Sequence, residues 1–170
     1  MALRLFHRMN RISVRNRIAL FPALLLCLFA PALLAQQVPP MSATQIPQSA
    51  LIQAAQLNQE LHAPAAQRPL IFQVGSRMLF DEAHIPGAIY AGPDSQPSGQ
   101  QSLRNQVEHL PRSRSIVVYC GCCPWTQCPN IGPAWTLLHN MGFTNVRALY
   151  LPDNFGTDWV AHNYPVQRSH

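Results

Sequence analysis

Four of the chain's five cysteines, Cys120, Cys122, Cys123 and Cys128, fall within nine positions, in the stretch VVYCGCCPWTQCP that begins at Val117. A thiolate is a nucleophile, a soft-metal ligand or one half of a disulfide, and this cluster offers all three chemistries. As a disulfide knot, the natural pair is Cys123 with Cys128, bracing a loop that carries Pro124 and Pro129. Cys122 and Cys123 are neighbours whose Cβ directions diverge, so they are not expected to bond to each other. As a thiol relay, Cys120 receives sulfur or electrons and Cys122, one residue away, resolves it through a strained and therefore labile bridge. As a metal centre, the spacing lacks the two separated Cys-x-x-Cys pairs that let zinc ligands converge from different turns. Copper(I), which tolerates fewer ligands, comes ahead of zinc.

The elements around the cluster make its members unequal. Ser115 to Tyr119 is a continuous apolar, β-branched run, the pattern of a central strand covered on both faces. Cys120 follows it directly, and a loop leads on to a helix from about Gly132 to Met141, with Gly142 as its C-cap. In open parallel sheets, sites lie beyond the carboxyl ends of the strands, where loops meet helix N-termini. Cys120 therefore holds the nucleophile's position, with Gly121, Cys122, Cys123, Pro124, Trp125, Thr126, Gln127 and Cys128 as the active loop around it.

Further strands are expected at 69–75 and 146–151, with residues 84–90 a turn leading into another short strand, and helices at 49–61, across Leu103, Val107 and Leu110, and at 158–162. Residues 76–84 read as a turn or short helix, and 92–101, rich in glycine, proline and serine, as a surface loop. Alternating strands and helices predict a three-layer α/β domain. It would occupy 68–168, preceded by a polar, proline-containing tether and an N-terminal helix over 36–67.

Phe80, His84-Ile85-Pro86-Gly87-Ala88, Ile116 to Cys120, Gly142-Phe143-Thr144-Asn145-Val146, and Trp159 with Tyr164-Pro165-Val166 occur in that order. Together they resemble the landmarks of a single-domain rhodanese-like sulfurtransferase. The resemblance implies a mostly parallel five-stranded sheet, with the active cysteine, here Cys120, opening a cradle-shaped loop after the central strand. It implies transfer of sulfane sulfur from a donor, through a persulfide on Cys120, to a thiol acceptor that is a small molecule or a protein, with no cofactor and no resident metal. The chain departs from the family in having Gln73 and Gly75 where an acid and an arginine are common. Its loop also carries no charge from 121 to 130, so thiosulfate recognition would rest on backbone donors, with Arg77 and His84 as the nearby cations. Arg77, His84, Phe155 and Asp158 are the pocket candidates. His84 and Asp158 also have plain structural readings, as a turn histidine and a helix cap. Trp125 is a second candidate for the pocket mouth. The alternatives to sulfur transfer are a thiol-disulfide or copper(I) protein using the same cluster, and a non-catalytic module braced by disulfides.

Charge narrows the partners. The 170 residues carry formal charge +5, but Arg4, Arg8, Arg11, Arg15 and Arg17 precede an almost wholly apolar stretch from Ile18 to Ala35. That pattern predicts a signal peptide over 1–35 and a periplasmic or secreted protein. The competing expectation is an uncleaved anchor, the one route to membrane attachment. Seven arginines then face seven acids from residue 36 onward, and there is no lysine, so no basic surface for nucleic acid exists.

Overall fold

The computed structural model describes residues 41–169, and the leader expected over 1–35 lies outside them. Among the described residues, no helix is long and apolar enough to cross a membrane.

The strands are β1 (Leu51–Gln53), β2 (Leu70–Gln73), β3 (Ile89–Tyr90), β4 (Ile116–Tyr119) and β5 (Val146–Tyr150). They form one sheet in the order β1-β5-β4-β2-β3, and every pairing is parallel. Among the described residues the α-helices are α1 (Ala54–Glu60), α2 (Arg77–Glu82), α3 (Pro97–Val107), α4 (Ile131–Asn140) and α5 (Phe155–Asp158).

The two-residue alternation of a strand explains why β4 is apolar throughout. Ile116 and Val118 enter a core with Leu103 and Val107 of α3 and Ala134, Leu137 and Leu138 of α4. Val117 and Tyr119 enter the opposite core, with Leu57 of α1, Phe155 of α5 and Trp159. Both faces of the central strand are thus buried, as the uninterrupted run requires. The far end of α4 closes in a Schellman motif: Gly142, at φ +87°, donates to His139, and Phe143 donates to the Leu138 carbonyl.

Two expectations are corrected. The helix expected over 49–61 is split, because Leu51–Gln53 pairs with Ala148–Tyr150 as an edge strand and the helix begins only at Ala54. Ile52 is wholly buried in one core while Leu51 packs on the other, a two-sided demand that only a strand meets. The sheet therefore begins well before residue 68. The expected tether is also partly folded: Ala43 and Ile46 are buried, and the Met41 carbonyl lies so close to Gly132 that a Cβ there has no room.

The surface loop expected over 92–101 is replaced in its second half by α3, which Pro97 opens at its first helical position. Gly99 is buried there, and a Cβ on it would overlap the Pro93 carbonyl.

Candidate active site

The β4 strand delivers Cys120 to the floor of a cavity of about 700 Å3 at the carboxyl edge of the sheet. The strand ends there because the backbone reverses at Gly121, with φ +78°. Glycine is needed at 121 on a second ground, since a Cβ would approach Phe155 Cβ to 2.7 Å. The Gly121 carbonyl accepts from Phe155 N at 3.1 Å, which ties the turn to the start of α5.

Neighbouring strand β2 shapes the other wall. The Gln73 side chain donates to the Cys120 carbonyl at 3.1 Å and accepts from Gly75 N at 3.2 Å. A Cβ on Gly75 would sit 2.9 Å from Cys120 Sγ. The departures noted at 73 and 75 are therefore local adaptations: a neutral amide clamps the end of β4, and the missing side chain makes room for the sulfur.

Asn130, just before α4, donates its Nδ2 to Cys120 Sγ at 3.2 Å. Its Oδ1 accepts from Ser95 N at 3.0 Å, which fixes the amide's orientation. Asn130 is 5% exposed and Cys120 4%, so this contact is made away from bulk water.

The loop sulfurs converge. Cys120 Sγ lies 3.1 Å from Cys122 Sγ, and Cys122 Sγ lies 3.2 Å from Cys123 Sγ. All three lie within 4.8 Å of one another. Neither the adjacency of Cys122 and Cys123 nor the one-residue gap before them prevents this, because the turn at Gly121 folds the loop back over the strand end. Exposure rises outward from buried Cys120 through half-buried Cys123 to exposed Cys122. The Cys123–Cys128 bridge expected from the sequence is not formed, and all four loop cysteines are free thiols. Cys128 is instead buried, with the Asn130 and Ile131 backbone N–H groups directed at it.

These contacts sort the thiols by ionisation. Hydrogen bonds from Cys120 and Cys128 pull the Cys122 pKa down. Donation to Cys122 and Cys128, then burial, push Cys120 up. Burial and then Cys122 push Cys123 up as well. These contacts favour the charged form at exposed Cys122 over Cys120, whose sulfur lies 3.1 Å away. Cys120 Sγ thus faces Cys122 Sγ on one side and the Asn130 amide donor on the other.

The remaining candidates divide. Gly121, Cys122, Cys123, Pro124 and Phe155 line the cavity with Cys120. Trp125 does not reach its mouth: it is buried edge-on against Tyr150, with ring centroids 5.3 Å apart, and its backbone N–H donates to the Pro152 carbonyl at 3.0 Å, pinning the loop to the end of β5. Thr126 and Gln127, both exposed, complete the 3-10 turn that Trp125 begins.

Arg77 is not in the cavity, because it stacks on Tyr90 at 4.8 Å and pairs with Asp81 at 3.2 Å. His84 is likewise outside, buried with its Nδ1 2.7 Å from the Phe80 carbonyl and its ring stacked on Phe80. Asp158 turns back to accept from Asp153 N and Asn154 N at 2.8 and 2.9 Å, and Asn154 caps α5.

Sequence reasoning missed Asn130 and Arg168. Asn130 had a detectable signal, a polar residue directly before a helix. Arg168 had none. Among the described residues it is the one arginine lining the cavity, and it is brought there by the antiparallel bridge between His84 and Gln167 and by its Nε bond to the Glu82 carbonyl at 3.1 Å.

Comparison with known proteins agrees with this architecture. The rhodanese-like domain family matches residues 53–150, from the end of β1 to the end of β5. A crystal structure of the Alr3790 protein from Anabaena sp. is 24% identical, with TM-score 0.52, covering 69% of this chain and 82% of that one. The solution structure of the rhodanese-like domain of the same Anabaena protein is also 24% identical, with TM-score 0.51, covering 70% and 79%. The single-domain sulfurtransferase RDL2 of Saccharomyces cerevisiae is 16% identical, with TM-score 0.48, covering 66% and 89%. No curated protein matches the chain.

Proposed function

Because the chain belongs to the rhodanese-like domain family, we propose that it is a sulfurtransferase, moving sulfane sulfur through a persulfide on Cys120 to a thiol acceptor. The observation that carries this reading is the pair of contacts on one sulfur: Cys120 Sγ receives the Asn130 amide at 3.2 Å and faces Cys122 Sγ at 3.1 Å. A nucleophile so placed has a proton acceptor on one side and a charge-stabilising donor on the other.

In the first step, Cys122 takes the proton and Cys120 attacks the outer sulfur of the donor. The new bond joins Cys120 Sγ to that sulfur, and the donor's S–S bond breaks, its electron pair leaving with the thiolate, polysulfide or sulfite. In the second step, an acceptor thiolate attacks the outer sulfur, and the electron pair returns to Cys120. No net oxidation occurs. Arg168 on the cavity wall suits a donor that is anionic at one end, which brings thiosulfate and polysulfide within the same chemistry. The basic and then apolar leader over 1–35 supports action in the cell envelope.

The test is intact mass after incubation with polysulfide. Wild-type protein should gain about 32 Da, one sulfur, on Cys120. C120A should gain nothing, and C122S should gain the same mass at a rate lower by about tenfold or more. A full adduct on C120A would overturn the assignment.

A second reading is favoured by the 3.1 Å separation of Cys120 and Cys122. Here the Cys122 thiolate attacks the inner sulfur of the Cys120 persulfide, the Cys120–Cys122 disulfide forms as the persulfide S–S bond breaks and its outer sulfur leaves as hydrosulfide, and external thiols restore the pair as they are oxidised to a disulfide. It differs in its product: the protein ends about 2 Da lighter than the reduced form instead of heavier.

A further inference from the structure

We propose that Cys120, Cys122 and Cys123 form a three-coordinate thiolate site for copper(I). The three sulfurs lie within 4.8 Å of one another, with two sides of the triangle at 3.1 and 3.2 Å. Metal–thiolate bonds of about 2.3 Å in a trigonal plane put sulfurs about 4 Å apart. Binding therefore needs an opening of less than about 1 Å along two sides. The loop can supply it, since Cys122 is exposed and Cys123 half-exposed, while Cys120 stays fixed at the strand end.

The donor set selects the ion. Among the described residues, no histidine or carboxylate joins the three sulfurs. Soft thiolates in a site short of four ligands favour copper(I), whereas structural zinc completes a tetrahedron. The Cys128 thiol also hydrogen-bonds with Cys120 and Cys122, but it lies outside the three sulfurs that are all within 4.8 Å of one another, and it is buried with two backbone N–H groups directed at it. The Asn130 amide at Cys120 and Arg168 on the cavity wall offset the excess negative charge of three thiolates around a monovalent ion. This site stands apart from the sulfurtransferase reading, for it requires the sulfurs only to converge, not to react.

The experiment is an anaerobic titration of the fully reduced chain with copper(I) against a chromophoric copper(I) chelator, following thiolate-to-copper charge-transfer absorption. One copper per chain should be retained. C122S and C123S should each weaken retention by about a hundredfold or more, through loss of one ligand of three. C128S should hold copper within about threefold of wild type. Circular dichroism of each variant confirms that it is folded, and exposed Cys122 is the substitution least able to disturb the core. Equal retention by wild type and C122S would overturn the proposal. So would tight zinc binding lost in C128S, which would identify a four-thiolate zinc site instead. Neither result bears on whether polysulfide adds sulfur to Cys120.

Discussion

The side-chain amide of Asn130 reaches across the loop to donate to the sulfur of Cys120 at 3.2 Å, ten residues upstream. With no charged side chain between residues 121 and 130, this neutral amide is the donor that meets the Cys120 sulfur where the loop offers no cation. In the proposed transfer its free energy would be realised mainly as charge builds on sulfur.

Removing that donor should therefore slow chemistry more than it harms folding. N130A is expected to lower the rate of persulfide formation by about ten- to a hundredfold. N130D keeps an acceptor for Ser95 N but turns a carboxylate toward the sulfur, so it should be slower than N130A. The rate of adduct formation by mass spectrometry, with the thermal midpoint measured alongside, checks this. A rate for N130D at or above wild type would remove Asn130 from the mechanism.

Gly75 is expected to be as sensitive as a residue with no side chain can be. In G75A the new methyl group lies 2.9 Å from Cys120 Sγ and 3.1 Å from the Cys120 carbonyl, so the sulfur or the β2 end must shift. Overpacking of this kind costs about 1–3 kcal/mol, read as a lower urea midpoint. Persulfide formation should fall with it, because Cys120 loses its register with Asn130. An unchanged midpoint together with an unchanged rate would contradict this geometry.

Asp94 gives a pH dependence that can be isolated. Its carboxyl is fully buried, neither oxygen has a hydrogen-bond partner, and burial raises its pKa from 3.8 to about 7. The folded protein then holds a proton that the unfolded chain has released, so Asp94's contribution to stability is complete below pH 3.8 and is lost as pH rises through about 7. D94N stays neutral throughout. It should be the more stable protein at pH 8, by at most about 4 kcal/mol, and should lose that advantage by about pH 4. Urea midpoints of the two proteins across this range decide the matter, and parallel pH profiles would argue against a buried, protonated Asp94.

Much of this fold is legible in local pattern. The β4 run, the glycine that closes α4 and the strand that follows it need only periodicity and capping to be found, because each is long or punctuated. The β1 strand was not legible, since three residues carry no period and Leu51–Gln53 becomes a strand only by pairing with β5. Arg77 and His84 failed as pocket residues for a similar reason. Their distance in sequence says nothing of the direction they face, and Tyr90 and Phe80 capture them on the far side of the pocket wall.

What the sequence determined by itself was the position of Cys120: a cysteine after the one strand apolar enough to be central has its place dictated by burial on both faces. What only the tertiary structure decided was the company it keeps. Asn130 meets its sulfur, Gly75 makes room for it, Arg168 arrives from the tail, and Cys122 and Cys123 fold back to within 4.8 Å of it and of each other. Each of these depends on where a turn reverses or a distant segment docks. Those are consequences of packing across the sheet edge, which no spacing along the chain encodes.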